Sequence, residues 1–303
     1  MDPNVSEITT LVEKGDLATA SDLIRHFNQT AESLFPVLDV ACRKGHTVMV
    51  RYLVNIGVPV DHANRDGIKP LHRAARRGDL EIVQCLIEHC ENAHKNDYLN
   101  SCYMIPRITV WPFPYQWVFM SALAAAATEG HLEVVRYLVE QGADPLLKLQ
   151  SNGLAVHCAL RDDKDHVDVL RYLLDLNHSQ LERKTADNET LLHLASRKDH
   201  VESARWLLDQ GADHKAVDSE GDTPWLVATK ARSAAVMGVF LGKEISSPQP
   251  LRGIWQRIGD KMKKATTYTY LFPGREQFYW GGNKLILVGG SIPSDLVAEL
   301  TDI

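Results

Sequence analysis

Thirteen histidines and five cysteines are the residues of this sequence with the clearest capacity for metal binding or catalysis. Zinc sites often place such ligands close together, as in H-E-x-x-H or C-x-x-C, and neither spacing occurs here. The chain has no G-x-S-x-G elbow, and Gly281-Gly282 and Gly289-Gly290 are not followed by the helix motif of a phosphate-binding loop. The sequence therefore predicts no metal site, no cofactor and no recognised catalytic motif.

Cysteine number and charge indicate the compartment and the classes of partner. The five cysteines are an odd number without a C-x-x-C pair, as is typical of reduced thiols. The first residues hold no basic start and no apolar run, and no stretch approaches the roughly 20 apolar residues of a membrane span. The formal net charge of -6 gives no general attraction to nucleic acid or anionic membranes. We expect a cytoplasmic or nuclear protein, and we do not expect its partner to be nucleic acid or a membrane.

A repeated pattern runs through most of the chain and defines the elements that must position these side chains. Each copy has a leucine-like residue, small residues, a Gly-His or its remnant, and a Val-Val-x-x-Leu-Leu run. The leucine-like positions are Leu38, Leu71, Leu123, Val156, Leu192 and Trp225. They are separated by 33, 52, 33, 36 and 33 residues, so three of five steps share one period and two contain insertions.

The residues that recur resemble the ankyrin-repeat family, most clearly in KPLHRAARRGDLEIVQCLIE (69–88) and SALAAAATEGHLEVVRYLVEQGADP (121–145). The resemblance covers about residues 5–243, with the first unit degenerate. It implies an all-α repeat solenoid of about seven units, each a helix-turn-helix with a hairpin finger, spanning 1–243. It also implies a scaffold that binds a partner protein on its concave face.

Elementary physical chemistry supports the same architecture. Thr190 and Thr223 stand where a hydroxyl can cap an inner helix, and Pro70 and Pro224 suit the first helical turn. The outer helices carry an apolar stripe that one helix pair cannot bury alone, so stacking must bury it between repeats. Its members include Val83, Leu86, Ile87, Val135, Leu138, Val139, Ala204, Leu207 and Leu208. Gly57, Gly142 and Gly211 are placed to end outer helices.

The resemblance also assigns six of the histidines to the scaffold. In this family, histidines at the Thr-Pro-Leu-His and Gly-His positions bond to hydroxyls and to the backbone in and between units. The residues at these positions are His46, His72, His131, His157, His193 and His200.

The step of 52 marks an insertion of about 19 residues at about 90–119, which the resemblance places beside the concave face. It is rich in aromatic residues, including Tyr103, Trp111, Phe113, Tyr115 and Trp117, and in proline, so we expect no regular helix there. It can form a wall or lid over the groove, or pack on the array; the sequence leaves both open.

The extension at 244–303 carries no repeat motif. Residues 251–264 predict a basic amphipathic helix, interpreted as a cap for the terminal repeat, with membrane or calmodulin-like binding as the alternative. Segments 266–272, 276–280 and 284–290 have the composition of strands and predict a small β-meander, and Ser294 is placed to cap a last short helix.

Basic residues recur near the end of the inner helices, where the resemblance implies that they face the groove. They are Arg43, Lys44, Arg73, Arg76, Arg77, Arg161, Arg197, Lys198 and Lys230. Thr128 and Glu129 interrupt this set beside the insertion. The pattern predicts a partly basic groove for an acidic protein segment, although basic residues also favour helix C-terminal ends for electrostatic reasons.

The alternative hypothesis is an atypical enzyme or small-molecule binder whose pocket is formed by the insertion, the inner helices and the extension. Its candidate residues, chosen by position, are Arg73, Arg76, Tyr103, Arg107, Glu129 and His157. In that hypothesis a histidine with a carboxylate would act as an acid-base pair.

Overall fold

The computed structural model describes residues 3–27, 30–90, 94–108, 115–149 and 153–240, together with two short strands at 277–281 and 284–288. It describes the backbone alone for 105–108, 115–118 and those two strands.

Fourteen helices of the described residues form seven antiparallel pairs, each an inner and an outer helix. The inner helices are α1 (Pro3–Lys14), α3 (Phe35–Lys44), α5 (Pro70–Arg77), α8 (Ala122–Thr128), α10 (Ala155–Cys158), α12 (Leu191–Lys198) and α14 (Pro224–Ala231). The outer helices are α2 (Leu17–Phe27), α4 (Thr47–Asn55), α6 (Leu80–Glu88), α9 (Leu132–Glu140), α11 (Val167–Leu176), α13 (Val201–Asp209) and α15 (Ala234–Phe240). This arrangement confirms the predicted all-α repeat solenoid.

Helix ends form where the sequence places capping residues. Thr223 Oγ1 accepts a hydrogen bond from the Leu226 backbone N–H, and Pro224 fills the first turn of α14. Ser121 caps α8 in the same way by accepting from Ala124 N–H at 3.2 Å. Gly45 and Gly78 end α3 and α5 in the left-handed conformation, which glycine adopts at no steric cost.

Three buried histidines link the inner helices α5, α10 and α12 each to a more distant loop. In His72, His157 and His193, Nδ1 accepts from the backbone N–H at the helix N-cap, three residues earlier. The opposite nitrogen, Nε2, donates to a carbonyl 26 to 29 residues further along the chain, at 2.8–2.9 Å. Because both ring nitrogens are used, these histidines hold the stack together, as the resemblance implies.

The hydrophobic core is one continuous layer between the inner and outer helices. It extends from Val5 in the first pair to Met237 in the last. Val83, Leu86, Leu138 and Ala204 of the predicted stripe are buried in it, so neighbouring repeats share their apolar faces.

The insertion contains a helix and two strands in place of an ordinary finger. Helix α7 (Lys95–Leu99) is followed by β1 (Cys102–Ile108) and β2 (Tyr115–Ser121), which pair antiparallel with Cys102 opposite Ser121. The expectation of no regular helix is wrong for α7, which ends before the first proline, Pro106. We call β1 and β2 the insertion ribbon.

The base of the insertion ribbon packs against the array. Tyr103 and Met120 face each other across the ribbon and form a small cluster with Ala124, Leu149 and Cys158, with Ile68 packed beside it. A two-stranded ribbon is marginal alone, so this packing is what stabilises it. The strands are seven residues long, about 23 Å at the usual rise per residue, and Met104 is already 45% exposed. Met104 lies on the opposite face of β1 from the buried Tyr103, as the alternation of side chains along a strand requires.

In the extension, β3 (Gln277–Gly281) and β4 (Lys284–Val288) form an antiparallel hairpin. They match two of the three predicted strands. The third, at 266–272, the amphipathic helix at 251–264 and the helix after Ser294 lie outside the described residues. Among the residues that are described, none belong to a helix with the length and apolarity required to cross a bilayer.

Candidate functional site

A cavity of about 410 Å³ lies between the inner helices and the base of the insertion ribbon. We call it the ribbon pocket. Its lining residues are Arg43, Ile68, His72, Arg73, Arg76, Arg77, Tyr103 and Glu129. Four of the eight are arginines, so the lining is rich in N–H donors that can bind carboxylates or phosphates.

Tyr103 forms the aromatic wall of the ribbon pocket. Its ring centroid lies 4.6 Å from that of His72 at an interplanar angle of 34°, and the side chain is 4% exposed. Burial raises the pKa of the Tyr103 hydroxyl, while the positive charges of Arg76 and Arg73 act in the opposite direction. The phenol therefore stays neutral and serves as a rigid wall.

Arg77 takes the place that a histidine occupies in other repeats. A Cβ atom added at Gly78 or Gly130 would meet the ring of His131 or His166. At Gly45 it would instead meet the guanidinium of Arg77, 2.3 Å from Nε. The third repeat has Asp79 where the second, fourth, fifth and sixth repeats have a histidine, and Arg77 Nε pairs with Asp79 at 2.6 Å. Arg77 is therefore fixed in the stack. The sequence did not reveal this, because the contact joins two different repeats.

The remaining arginines of the ribbon pocket also pair with carboxylates of other repeats. Arg73 Nε and Nη2 lie 3.1 and 3.4 Å from the two carboxylate oxygens of Asp39. Arg76 Nε donates to Glu129 Oε1 at 3.2 Å. Arg43 pairs with Glu13. The partners lie 30 to 53 residues away in sequence, so the pairing was not visible in the repeat pattern.

The predicted basic groove is balanced by acidic partners in the later repeats as well. Arg197 pairs with Glu189, Lys198 Nζ lies 2.7 Å from Asp163, and Lys230 pairs with Asp222. Burial raises the pKa of the Glu189 carboxyl, and the nearby Arg197 and Arg161 oppose that shift. Within the part of the chain that the structure describes, Lys44 makes no ion pair. The groove is therefore a row of ion pairs and not a bare cationic stripe.

The structure brings together four of the six residues proposed for an enzyme pocket, namely Arg73, Arg76, Tyr103 and Glu129. His157 lies elsewhere: Nδ1 accepts from Leu154 N–H and Nε2 donates to the Arg183 carbonyl. Burial lowers its pKa to about 4. The proposed histidine–carboxylate pair is therefore not formed with Glu129. The side chains of Arg107, Tyr115 and Trp117, and all of Trp111 and Phe113, lie outside the described residues.

A second cavity, of about 430 Å³, lies beside the finger that follows α4, and sequence reasoning did not single it out. It is lined by Val54, Gly57, Val58, Pro59, Val60, Asp61, His89, Cys90 and His94. Among the residues with described positions, no three of the His, Cys, Asp or Glu type gather closely enough to hold a metal ion.

Comparison with known proteins supports the architecture. The family model described as "Ankyrin repeats (many copies)" matches residues 38–87, and "Ankyrin repeats (3 copies)" matches 118–185 and 157–247. Together these matches cover more than half of the chain. The chain belongs to the ankyrin-repeat family. The interval between the two models, 88–117, contains most of the insertion ribbon, which is therefore a departure from the family pattern.

Two similar proteins match about two thirds of this chain, but the match covers a smaller share of their own length. Ankyrin repeat and SOCS box protein 3 of Homo sapiens is 29% identical over 204 residues, which is 67% of this chain and 36% of that protein. The probable E3 ubiquitin-protein ligase XBOS32 of Oryza sativa is 27% identical over 68% of this chain and 38% of that protein. The chain thus spans well under half of these relatives.

A solved structure agrees with the fold. The human ASB11 ankyrin repeat domain superposes with a TM-score of 0.52 at 19% identity, covering 69% of this chain and 85% of that one. Ankyrin-repeat domains are protein–protein interaction scaffolds, and the chain has the architecture of one.

Proposed function

We propose that this protein binds a partner protein on the surface formed by the inner helices α3, α5 and α8 and the insertion ribbon, and that the partner contributes an acidic segment. The observation that supports this most directly is the ribbon pocket, where four arginines meet the base of the insertion ribbon. A surface made of packed helices and an anchored ribbon is largely preformed, which lowers the ordering cost of association.

The ion pairs of the groove are compatible with an acidic partner. A guanidinium has five N–H donors, and the carboxylates described here take one or two from each arginine of the ribbon pocket. At Arg43, Arg73 and Arg77 the remaining donors can contact a partner's carboxylate while the internal pair stays formed. The affinity then depends on contacts across the surface and on charge.

The test is capture of the partner with a shortened ribbon. Replacing residues 105–118 by Asn-Gly joins Met104 to Phe119, which already face each other, through a two-residue hairpin turn. Tyr103 and Met120 stay in place, so the packed base is kept. We expect affinity purification from the native host to recover a partner with the intact chain and to lose it with the shortened one.

Equal recovery by both proteins would contradict a role of the ribbon in binding. Thermal unfolding of the two proteins supplies the control, because a similar transition midpoint shows that the stack is unchanged.

Small-molecule binding is a second proposal, supported by the volume of the ribbon pocket, which falls in the usual range for ligand sites. Mass spectrometry of metabolites that co-purify with the intact protein tests it, with an Arg73→Gln variant for comparison. A metabolite recovered equally with both proteins would contradict binding in the ribbon pocket.

A further inference from the structure

The groove position held by Glu129 is basic or neutral in most other repeats. The residues at the equivalent position of other repeats are Lys44, Arg77, Lys198 and Ala231. In the repeat that carries its own three-residue insertion, the equivalent residue is Asp162. Glu129 follows α8, the first inner helix after the insertion ribbon, and its carboxylate reaches back to Arg76 of the preceding repeat. An acidic residue is therefore placed against the most exposed arginine of the ribbon pocket.

We propose that the ribbon pocket is a subsite for a carboxylate of the partner's acidic segment, and that Glu129 occupies Arg76 in the free protein until that carboxylate replaces it. This inference rests on the proposed function and specifies the chemistry of its site.

The energetics favour such an exchange. The Arg76 side chain is 61% exposed and that of Glu129 is 36% exposed, and an exposed ion pair of this kind contributes little to stability. Releasing Glu129 to water therefore costs little. Arg73 and Arg77 stay fixed by Asp39 and Asp79, so the incoming carboxylate meets guanidiniums that are already oriented.

The chain offers a matched control pair on its outer helices. Arg51 of α4 pairs with Glu81 of α6 at 2.5 Å, also between neighbouring repeats, with side chains 55% and 60% exposed. Neither residue lines the ribbon pocket. Changing Arg51 or Glu81 alters the net charge as much as changing Arg76 or Glu129 does.

The experiment is calorimetric titration with N-acetylated hexaglutamate at low ionic strength, with hexaglutamine as the neutral peptide. We expect Glu129→Gln to tighten hexaglutamate binding about two- to fivefold, because the internal competitor is removed. We expect Arg76→Gln to weaken it about tenfold or more, because a charge-assisted hydrogen bond is lost. Glu81→Gln and Arg51→Gln should stay within about twofold of the parent protein.

Three results would overturn the proposal: equal tightening by Glu129→Gln and Glu81→Gln, unchanged binding by Arg76→Gln, or no binding of hexaglutamate by Glu129→Gln. The first would show a general charge effect. These failures are distinguishable from failure of the proposed function, because host-partner capture and its loss on ribbon shortening do not depend on hexaglutamate.

Discussion

Individual side chains replace one another at the junctions between repeats. Histidines 131 and 166 cover the glycine that ends the preceding inner helix, whereas Arg77 covers Gly45 because Asp79 stands at its own repeat's histidine position. Glycine is required at this position for two reasons: its backbone is left-handed, and the side chain of the neighbouring repeat occupies the place of a Cβ atom. A residue that looks available for binding in the sequence can thus be a packing residue in the structure.

Gly78→Ala tests this double requirement. The added Cβ would lie 2.5 Å from Nδ1 of His131, whose Nε2 donates to the Arg76 carbonyl at 3.1 Å and is therefore held in place. We expect Gly78→Ala to lower the free energy of unfolding by about 1–2 kcal/mol for the left-handed backbone and by about 1–3 kcal/mol more for the clash. Urea unfolding measures the loss.

Gly211→Ala is the matched control, because Gly211 is also left-handed, at φ 84°, with no atom within 4 Å of an added Cβ. It should show the backbone cost alone. Equal losses in the two variants would contradict the packing role of His131.

At the scale of elements, the insertion ribbon depends on one pair of buried side chains. Tyr103 and Met120 fix its base, whereas neighbouring Met104 is largely exposed. The sequence indicated an insertion rich in aromatic residues, but its strands were not predicted. Proline argues against a strand interior, and the register that places Pro106 opposite Trp117 is a tertiary outcome.

Tyr103→Ala should release the ribbon. We expect the free energy of unfolding to fall by roughly 3 kcal/mol, as for other large buried aromatic residues, and hydrogen exchange of the β1 and β2 amides to accelerate. Met104→Ala, one residue further along the same strand, should change stability by no more than about 0.5 kcal/mol. Similar losses from both substitutions would contradict anchoring by Tyr103.

At the scale of the whole molecule, buried neutral histidines link stability to pH. Burial lowers the pKa of His72 and of His157 to about 4, below the ordinary value near 6.5. The unfolded chain therefore takes up these protons first as the pH falls, so the stabilisation is complete above about pH 6.5 and is lost toward pH 4.

We expect the free energy of unfolding to decrease by about 2 kcal/mol per histidine between pH 6.5 and pH 5. This follows from a slope of about 1.4 kcal/mol per pH unit for each proton taken up on unfolding. Urea unfolding over this range measures the slope. His157→Gln should reduce the slope by the amount that corresponds to about one proton taken up on unfolding. A slope that is the same in the variant would contradict the assignment to His157.

Features that recur in every repeat could be predicted from the sequence, and features that occur once could not. Stacking residues such as Leu71 and Ala74 recur with the period, so the fold was predicted from the sequence alone. The same holds for the linking histidines His72, His157 and His193, whereas neither ring nitrogen of the buried His200 has a hydrogen-bond partner in the described part of the chain. The ribbon pocket was predicted only in part: Arg73, Arg76, Tyr103 and Glu129 do meet. The acidic partners of Arg73 and Arg43, which are Asp39 and Glu13, were missed because each pair joins different repeats, and the period does not specify such pairs.

The insertion ribbon occupies the position of a finger and leaves the helix stack intact, since α5 and α8 pack directly on each other on either side of it. The packing of the third repeat on the fourth therefore runs directly from helix to helix. Hairpins of other lengths and compositions should be interchangeable at the Met104 and Phe119 junction, so this site is suited to grafting a new recognition loop onto an unchanged framework.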